Sequence, residues 1–442
     1  MKAINRMLLC ICVIGLTGLV FYSPVPLYDL ITGTAVPGFS IGWPVVRILT
    51  EPFYAFSLYL LTLDRNFYQP AIISWFVWLA AGMFIYCRIK KRTVSCCIKS
   101  IIYAVMLFAT VSVLVVLIPL PGPKLVKPEG YVAADIHSHT FFSHDAIGTP
   151  VSNLKFHELQ GFDFFFITEH NHTKGFFKFP ENSLYKKVFP GMQMRTTNGV
   201  SVLLLSGKEF NGDEYRNKTL PEIIEKAHQN NMLVIMPHWW KWHKFSYEEL
   251  RDFGIDGFEV YNCGYRNFNA KEQQELISFC RDNNLLMFGT TDWHGWGYMT
   301  DVWTIFAGDT ERNLKDQLAG KPELKIITFR EKQSGSILRF IFEPFAAYYY
   351  YVKNAGLTAI LSFMIWFCII FIVFSSRAAK HIKSYLPAGL ALFFFIAAIY
   401  YSIMAMAVIE TNKIIITSVV PVLGGMALLW FILWRINGKD IQ

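Results

Sequence analysis

Tyr131-Val132-Ala133-Ala134-Asp135-Ile136-His137-Ser138-His139-Thr140 is the stretch that decides how the middle of the chain folds. Its first half is an apolar run of strand length. Its second half carries two histidines one residue apart. Side chains two positions apart on extended backbone share a face, so His137 and His139 present two imidazoles to one side of a strand end. A lone His-x-His pair arises often by chance, so the reading depends on whether the pattern repeats.

The pattern does repeat. Short runs rich in β-branched and aromatic residues predict strands at 131–136, 162–168, 200–205, 233–237, 257–261, 285–289, 302–306 and 324–329. Helical spacing falls between them, at 151–160, 220–230, 247–253, 271–282 and 312–318. Thr219 with Glu222, and Ser246 with Glu249, form capping boxes at two of the helix starts. Strand-then-helix repetition with short loops predicts a parallel α/β sheet, and seven or eight such units fit a barrel.

Of the 11 histidines, all but His381 lie in this middle region, most of them where a predicted strand stops. His144 and Asp145 follow the first strand, and Glu169-His170 ends the second. Gly207-Lys208-Glu209 ends the third and Pro237-His238 the fourth. Asp292-Trp293-His294 ends the sixth, again with the one-residue spacing. Imidazole and carboxylate donors together suit Zn, Mn or Fe. This many donors exceeds the need of one ion, so the pattern predicts two or three ions sharing carboxylates, spaced about 3.5–4 Å apart.

The flanks are of a different kind. Hydrophobic residues make up 53% of the 442 and charged residues only 17%, against about 25% charged in soluble proteins. Six apolar segments, near 7–22, 71–87, 101–120, 357–374, 386–409 and 414–434, approach the length of a membrane-spanning helix. The stretch 52–63, between Glu51 and Asp64, is shorter and reads as interfacial. Arg88, Lys90, Lys91, Arg92 and Lys99 border one pair of spans, and Arg377, Lys380 and Lys383 another, so the net charge of +8 is a topology signal rather than a nucleic-acid surface. By the positive-inside rule the middle region faces away from the cytoplasm. The predicted organisation is a membrane block of three helices at 1–122, a soluble domain at 123–335, an aromatic interfacial linker at 336–356 and a second block of three helices at 357–442. Cys263 and Cys280, the two cysteines of the polar middle, read as free thiols.

Taken together, Asp135-Ile136-His137-Ser138-His139, Thr168-Glu169-His170-Asn171, Gly207-Lys208-Glu209, Met236-Pro237-His238 and Thr291-Asp292-Trp293-His294 resemble the motifs of the PHP family, named for its polymerase and histidinol phosphatase members. The resemblance spans about 130–329 and leaves out the apolar flanks. It implies a distorted (β/α)7 barrel with up to three divalent ions at the strand ends. In that pattern His137, His139, Glu209 and Asp292 surround one ion, and His144 or Asp145 with His170 and His294 surround another. Glu209 and His238 belong to a third. Many members carry a further histidine after the bridging glutamate; Phe210 to Tyr215 contain none here, which counts against the third ion.

The resemblance implies a phosphoesterase. Asp292 and His294 read as catalytic, Lys208, Lys241 and His172 are candidates to assist the leaving group, and Lys241 and His243 read as lying toward the substrate, while Glu259 and Asn262, at the end of a strand, read as substrate contacts or as residues standing behind the ligands. Its setting points to a bacterial inner-membrane protein acting outside the cytoplasm on a phosphorylated small molecule or lipid-linked substrate. An amide or ester hydrolase on the same site and a non-catalytic, metal-stabilised binding module are the competing readings. His157 and His228, on predicted helices, read as surface residues.

Overall fold

A computed structural model describes residues 27–42, 44–49, 51, 67–117, 124–176, 187–239, 244–264, 269–297, 300–310, 312–328, 336–354, 356–375, 378–407 and 415–438. The chain divides into two units. One comprises Pro26–Pro44 and Pro121–Glu331, the other Met1–Val25, Val45–Leu120 and Lys332–Gln442.

The first unit is built on twelve described strands: β1 Tyr28–Asp29, β2 Ser40–Gly42, β3 Lys124–Val126, β4 Tyr131–Asp135, β5 Phe164–Ile167, β6 Val188–Arg195, β7 Ser201–Leu205, β8 Leu233–Met236, β9 Gly257–Asn262, β10 Leu286–Thr290, β11 Val302–Ala307 and β12 Leu324–Thr328. Ten of them form one sheet in the order β1-β12-β11-β4-β5-β6-β7-β8-β9-β10, and β2 pairs with β3 separately. The pairs β4–β5, β5–β6, β8–β9 and β9–β10 are parallel. The others, including β6–β7 and β7–β8, are antiparallel.

The sheet is therefore mixed, and this departs from the predicted run of parallel units. The departure has a local cause at β6. Val188–Arg195 contains Pro190 and Gly191 and does not read as a strand, yet it forms the first arm of a hairpin with β7. Its turn closes with Gly199 at φ +83°, a left-handed conformation that glycine adopts without steric cost, and with Thr196 N–H donating to the Val200 carbonyl at 2.9 Å. A hairpin reverses the chain, so β7 runs against its neighbours.

Side chains alternate between two buried faces, as a sheet covered on both sides requires. Val132, Ala134, Phe164, Phe166, Leu203, Leu205 and Phe288 fill one cluster, closed by Leu314 and Leu318 of the helix Leu314–Ala319. Val202, Leu204, Val234 and Phe258 face the other way, onto Ile223, Ile224 and Ala227 of Leu220–Gln229 and Leu276, Ile277 and Cys280 of Ala270–Asp282. The sheet curls until β10 meets β11, where the Thr304 hydroxyl donates to the Gly289 carbonyl at 2.8 Å and accepts from its N–H at 2.9 Å. A side chain at 289 would collide with Val302 and Ile326. The capping boxes form: Thr219 N–H donates to Glu222 at 2.7 Å, and Ser246 N–H to Glu249 at 2.7 Å. Cys263 and Cys280 are not joined in a disulfide.

One segment joins this unit from far away in sequence. The sequence reading places 26–44 in the membrane block. In the structure β1 lies beside β12, with Tyr28 opposite Thr328 and Asp29 opposite Ile327. The Asp29 carboxylate accepts from Ile326 N–H at 3.0 Å, Ile31 N–H at 3.1 Å and the Thr32 hydroxyl at 3.0 Å.

In the second unit, four helices among the described residues are long and apolar enough to cross a membrane: Gln69–Ile89, Val94–Val115, Tyr385–Met404 and Ile415–Ile436. The predicted span at 357–374 coincides with the helix Gly356–Ser375, whose described apolar part is the shorter Ala359–Ile369. The stretches 7–22 and 52–63 lie outside the described residues. The predicted linker coincides with the helix Ile337–Asn354, which has Pro344 inside it and a kink at Phe342. Proline has no N–H for the carbonyl four residues back. The Phe340 carbonyl instead accepts from the Ser74 hydroxyl at 2.5 Å, and its neighbour Ile341 from Trp78 Nε1 at 2.6 Å.

Candidate metal centre

The histidine-bearing segments continue the sheet pairing past the strand ends, and this brings their side chains together. Asp292 N–H donates to the His137 carbonyl at 2.9 Å, and His139 N–H to the Trp293 carbonyl at 2.8 Å. Thr168 N–H reaches the Ser138 carbonyl at 2.9 Å, and Asn171 N–H the Gln193 carbonyl at 2.9 Å. The ends of β4, β5, β6 and β10 are thus laced edge to edge. His238 and Asp292, each just past a strand end, have φ of +49° and +48°. For residues other than glycine such backbone costs about 1–3 kcal/mol and gathers at functional sites.

Among the described residues three donor groups result: His137, His238 and Asp292; His139, His170 and His294; and His144, Asp145 and His170. Asp292 Oδ1 lies 3.2 Å from His137 Nε2, 3.4 Å from His139 Nε2 and 3.5 Å from His294 Nδ1. Asp292 Oδ2 lies 3.7 Å from His238 Nε2. Asp145 Oδ1 is 3.2 Å from His170 Nε2 and 3.5 Å from His294 Nε2. His137 Nε2 and His139 Nε2 are 3.0 Å apart.

This arrangement fits divalent ions. Around an ion bound at about 2.0–2.1 Å, tetrahedral donors stand about 3.3 Å from one another, close to the separations seen. Asp145 Oδ1 and Asp292 Oδ1 are buried and receive no hydrogen bond, and a carboxylate oxygen is rarely left so unless something positive completes it.

The donors are held from behind. Glu259, fully buried on β9, lies 2.5 Å from His137 Nδ1, so that ring turns Nε2 inward. Glu259 itself accepts from the Thr290 hydroxyl at 2.7 Å and from His238 N–H at 3.0 Å. Asn262 donates to Glu259 at 3.3 Å. Ser143 Oγ lies 3.1 Å from His139 Nδ1 and donates to Glu169 at 2.5 Å. Such carboxylate-backed histidines have a fixed tautomer and orientation.

Charge is divided unevenly across the cluster. Burial works against the charged form of His137, yet the carboxylates of Asp292 and Glu259 outweigh it and hold His137 up to about 10. Asp292 and Asp145 do the same for His294, which sits at about 9 despite its burial. Burial, with the neighbouring His294 and His170, keeps His139 well below the ordinary histidine value. His170 is lowered by burial although Asp145 opposes it. Both aspartates are held low against burial, Asp292 by His137 and His294 and Asp145 by His170 and His294. Glu169 is pushed up to about 7 by burial, against the hydrogen bonds from Ser143 and Thr140.

Of the residues singled out from sequence, His137, His139, His144, Asp145, His170, His238, Asp292 and His294 all fall in the three donor groups. The grouping differs from the implied one: His238 joins His137, and His139 joins His170 and His294. Glu259 and Asn262 stand behind the donors. Glu209 requires a correction. It is exposed and belongs to none of the groups among the described residues. Because β7 is antiparallel, its last residue, Leu205, pairs with Leu233 at the start of β8, whereas His238 follows the end of β8. Glu209 and the exposed Lys208 therefore follow the wrong end of the sheet. His172 is also outside the groups; its Nε2 lies 3.1 Å from the Phe142 carbonyl and its Nδ1 accepts from Lys174 N–H at 3.3 Å. Lys241 and His243 lie outside the described residues.

Two buried residues escaped the sequence reading. Gln193, 5% exposed on β6, places Oε1 3.2 Å from His137 Nε2. Its signal was a lone polar residue between Met192 and Met194, which face the opposite, apolar cluster. His157 is not a surface residue. It is 1% exposed, with Nε2 2.9 Å from Asp135 Oδ2 and its ring stacked on Phe165 at 3.9 Å. His228 does sit at the surface, 3.0 Å from Asp256.

No family model matches the chain, and no curated protein matches it. Solved structures do. A two-domain protein from Bacteroides vulgatus containing a predicted PHP-like metal-dependent phosphoesterase aligns at 20% identity with a TM-score of 0.36, over 49% of this chain and 71% of that one. PsfC from Pseudomonas syringae aligns at 16% identity and TM-score 0.36, over 50% and 97%. An amidohydrolase from Chromobacterium violaceum aligns at 11% identity and TM-score 0.32, over 43% and 97%. Likenesses of this size carry no argument about activity; that rests on the cluster.

Proposed function

We propose that the chain is a membrane-anchored, metal-dependent hydrolase that cleaves a phosphate mono- or diester, lipid-linked or from the cell envelope. The observation that carries this reading is the convergence of six histidines and two aspartates, two of whose buried carboxylate oxygens lack a hydrogen-bond donor. Divalent ions held by these residues supply Lewis acidity toward a phosphoryl oxygen and bring the pKa of water down to about 7. The chain's own contribution is positioning. Glu259 fixes the His137 ring, and Ser143 with Glu169 fixes His139. Asp292 places one oxygen near His137, His139 and His294 at once. His294 keeps Nδ1 on its own Asp292 carbonyl at 2.7 Å, which leaves Nε2 to face Asp145.

The bilayer setting rests on the four apolar helices and on Ile337–Asn354, which exposes Leu338, Phe342, Phe345 and Tyr349. The pairing of β1 with β12 supports the topology read from charge. Both ends of the stretch 45–120 belong to one folded unit and so lie on one side of any bilayer. That requires an even number of crossings between them, and Gln69–Ile89 and Val94–Val115 are two. With the basic Arg88–Arg92 loop inside, the metal centre faces outside.

The test is the full chain in detergent, loaded with Mn or Zn, against phosphomonoesters, phosphodiesters, lipid phosphates and carboxylic esters. Phosphate ester cleavage that disappears in Asp292→Ala supports the proposal. Cleavage of carboxylic esters alone, or no metal-dependent cleavage of any arm, overturns it. A reporter fused at Lys321 that is active only in the cytoplasm overturns the orientation.

A further inference from the structure

The junction between two donor groups is the least symmetric part of the centre. His137 belongs to one group and His139 to another, and their Nε2 atoms are 3.0 Å apart. Two side-chain oxygens face that junction. One is Asp292 Oδ1, an anion, 3.2 Å from His137 Nε2 and 3.4 Å from His139 Nε2. The other is Gln193 Oε1, the neutral end of an amide, 3.2 Å from His137 Nε2.

Gln193 is not there by accident of a loose side chain. Its backbone is clamped to the segment that follows β5: its N–H donates to the Glu169 carbonyl at 3.0 Å, and its carbonyl accepts from Asn171 N–H at 2.9 Å. Met192 and Met194 anchor the opposite face of β6 in the core. A glutamate at 193 would have the same length and shape and would bring a second negative charge to the same point. As it stands, the three groups contain only two carboxylates, Asp145 and Asp292. Glu259 is committed to holding His137. Two divalent ions bring four positive charges against three negative ones, those two and the Glu259 carboxylate that backs His137, and repulsion between neighbouring ions is eased when an anion lies between them.

We propose that Gln193 makes occupancy of the junction by a second ion depend on an anion from outside the protein. One ion binds to the resting centre, and a further ion binds tightly only when an oxyanion such as phosphate supplies the charge that the amide does not. This rests on the metal-centre reading above and goes beyond it, since it makes the anionic substrate part of how the centre is completed.

The experiment measures bound metal, not activity. Full chain in detergent, stripped with chelator, is titrated with Mn or Zn with and without inorganic phosphate, and ions per chain are counted after desalting. In the unaltered chain phosphate is expected to raise the number of retained ions by about one. Gln193→Glu is expected to retain that extra ion without phosphate, with its affinity raised tenfold or more and its phosphate dependence lost. An unaltered chain that holds its full complement without phosphate overturns the proposal, even if the variant fails to fold. So does a folded Gln193→Glu chain whose ion count and phosphate dependence match the original. A chain that binds no metal under any condition instead sinks the metal-centre reading itself.

Discussion

Replacing His157 with alanine probes how the strand ends that carry the metal donors are held in place. His157 touches none of the donor groups. It reaches them through Asp135, whose Oδ1 accepts from Thr291 N–H at 3.1 Å and His137 N–H at 3.3 Å. Asp135 Oδ2 accepts from the Thr291 hydroxyl and lies 2.9 Å from His157 Nε2. One buried carboxylate thus ties the backbone of His137 to the residue before Asp292. His157→Ala removes a hydrogen bond to a charged group, about 1.5–3 kcal/mol. It also removes a parallel ring stack on Phe165 at 3.9 Å, worth about 0.5–1.5 kcal/mol beyond area burial. Together these are roughly 2–4.5 kcal/mol. For a unit of this size each kcal/mol moves the melting temperature by about 2–4 °C, so a central loss of about 3 kcal/mol predicts a fall of roughly 6–12 °C. Thermal melting of the full chain, metal-loaded and chelated, measures this. His157→Gln, which keeps a donor for Asp135, is expected to recover part of the loss. An alanine variant that melts within about 2 °C of the original and binds metal equally well would refute the reasoning.

Two further outcomes follow from other parts of the structure. Asp29→Ala leaves the buried Ile326 N–H, now 3.0 Å from Asp29 Oδ1, without an acceptor, and is expected to destabilise the sheet-bearing unit by about 1–3 kcal/mol; unchanged melting would mean that 26–44 is not part of that unit. Metal binding is expected to release protons, because in the metal-free centre His137 sits at about 10 and His294 at about 9. Protons and ions compete for the same nitrogens, so affinity falls as pH falls below those values. Calorimetric titrations in two buffers of different ionisation enthalpy report the release, and identical heats in both would contradict it.

Most of the donor set was legible in the sequence because it is written in local chemistry. His137 and His139, and Asp292 and His294, are one residue apart at the end of apolar runs, and extended backbone alone puts such pairs on one face. The helix starts at Thr219 and Ser246 and the apolar helices are local in the same sense. What sequence could not supply is strand direction. Alternation reads the same in either sense, so 200–205 is recognisable as a strand but not as one that runs backwards. The β6–β7 hairpin, hidden behind Pro190 and Gly191, reverses it and carries Glu209 and Lys208 to the wrong end. The same hairpin delivers Gln193 to the junction that a glutamate was expected to fill. The pairing of β1 with β12, and of His157 with Asp135, joins residues far apart along the chain. Such contacts depend on which surfaces meet once the sheet has curled, and no single strand or helix contains both partners. The chain's composition and strand-end residues determined that it carries a set of imidazole and carboxylate donors at strand ends and a group of apolar helices; tertiary structure alone decided how those donors are grouped and which side chains stand behind them.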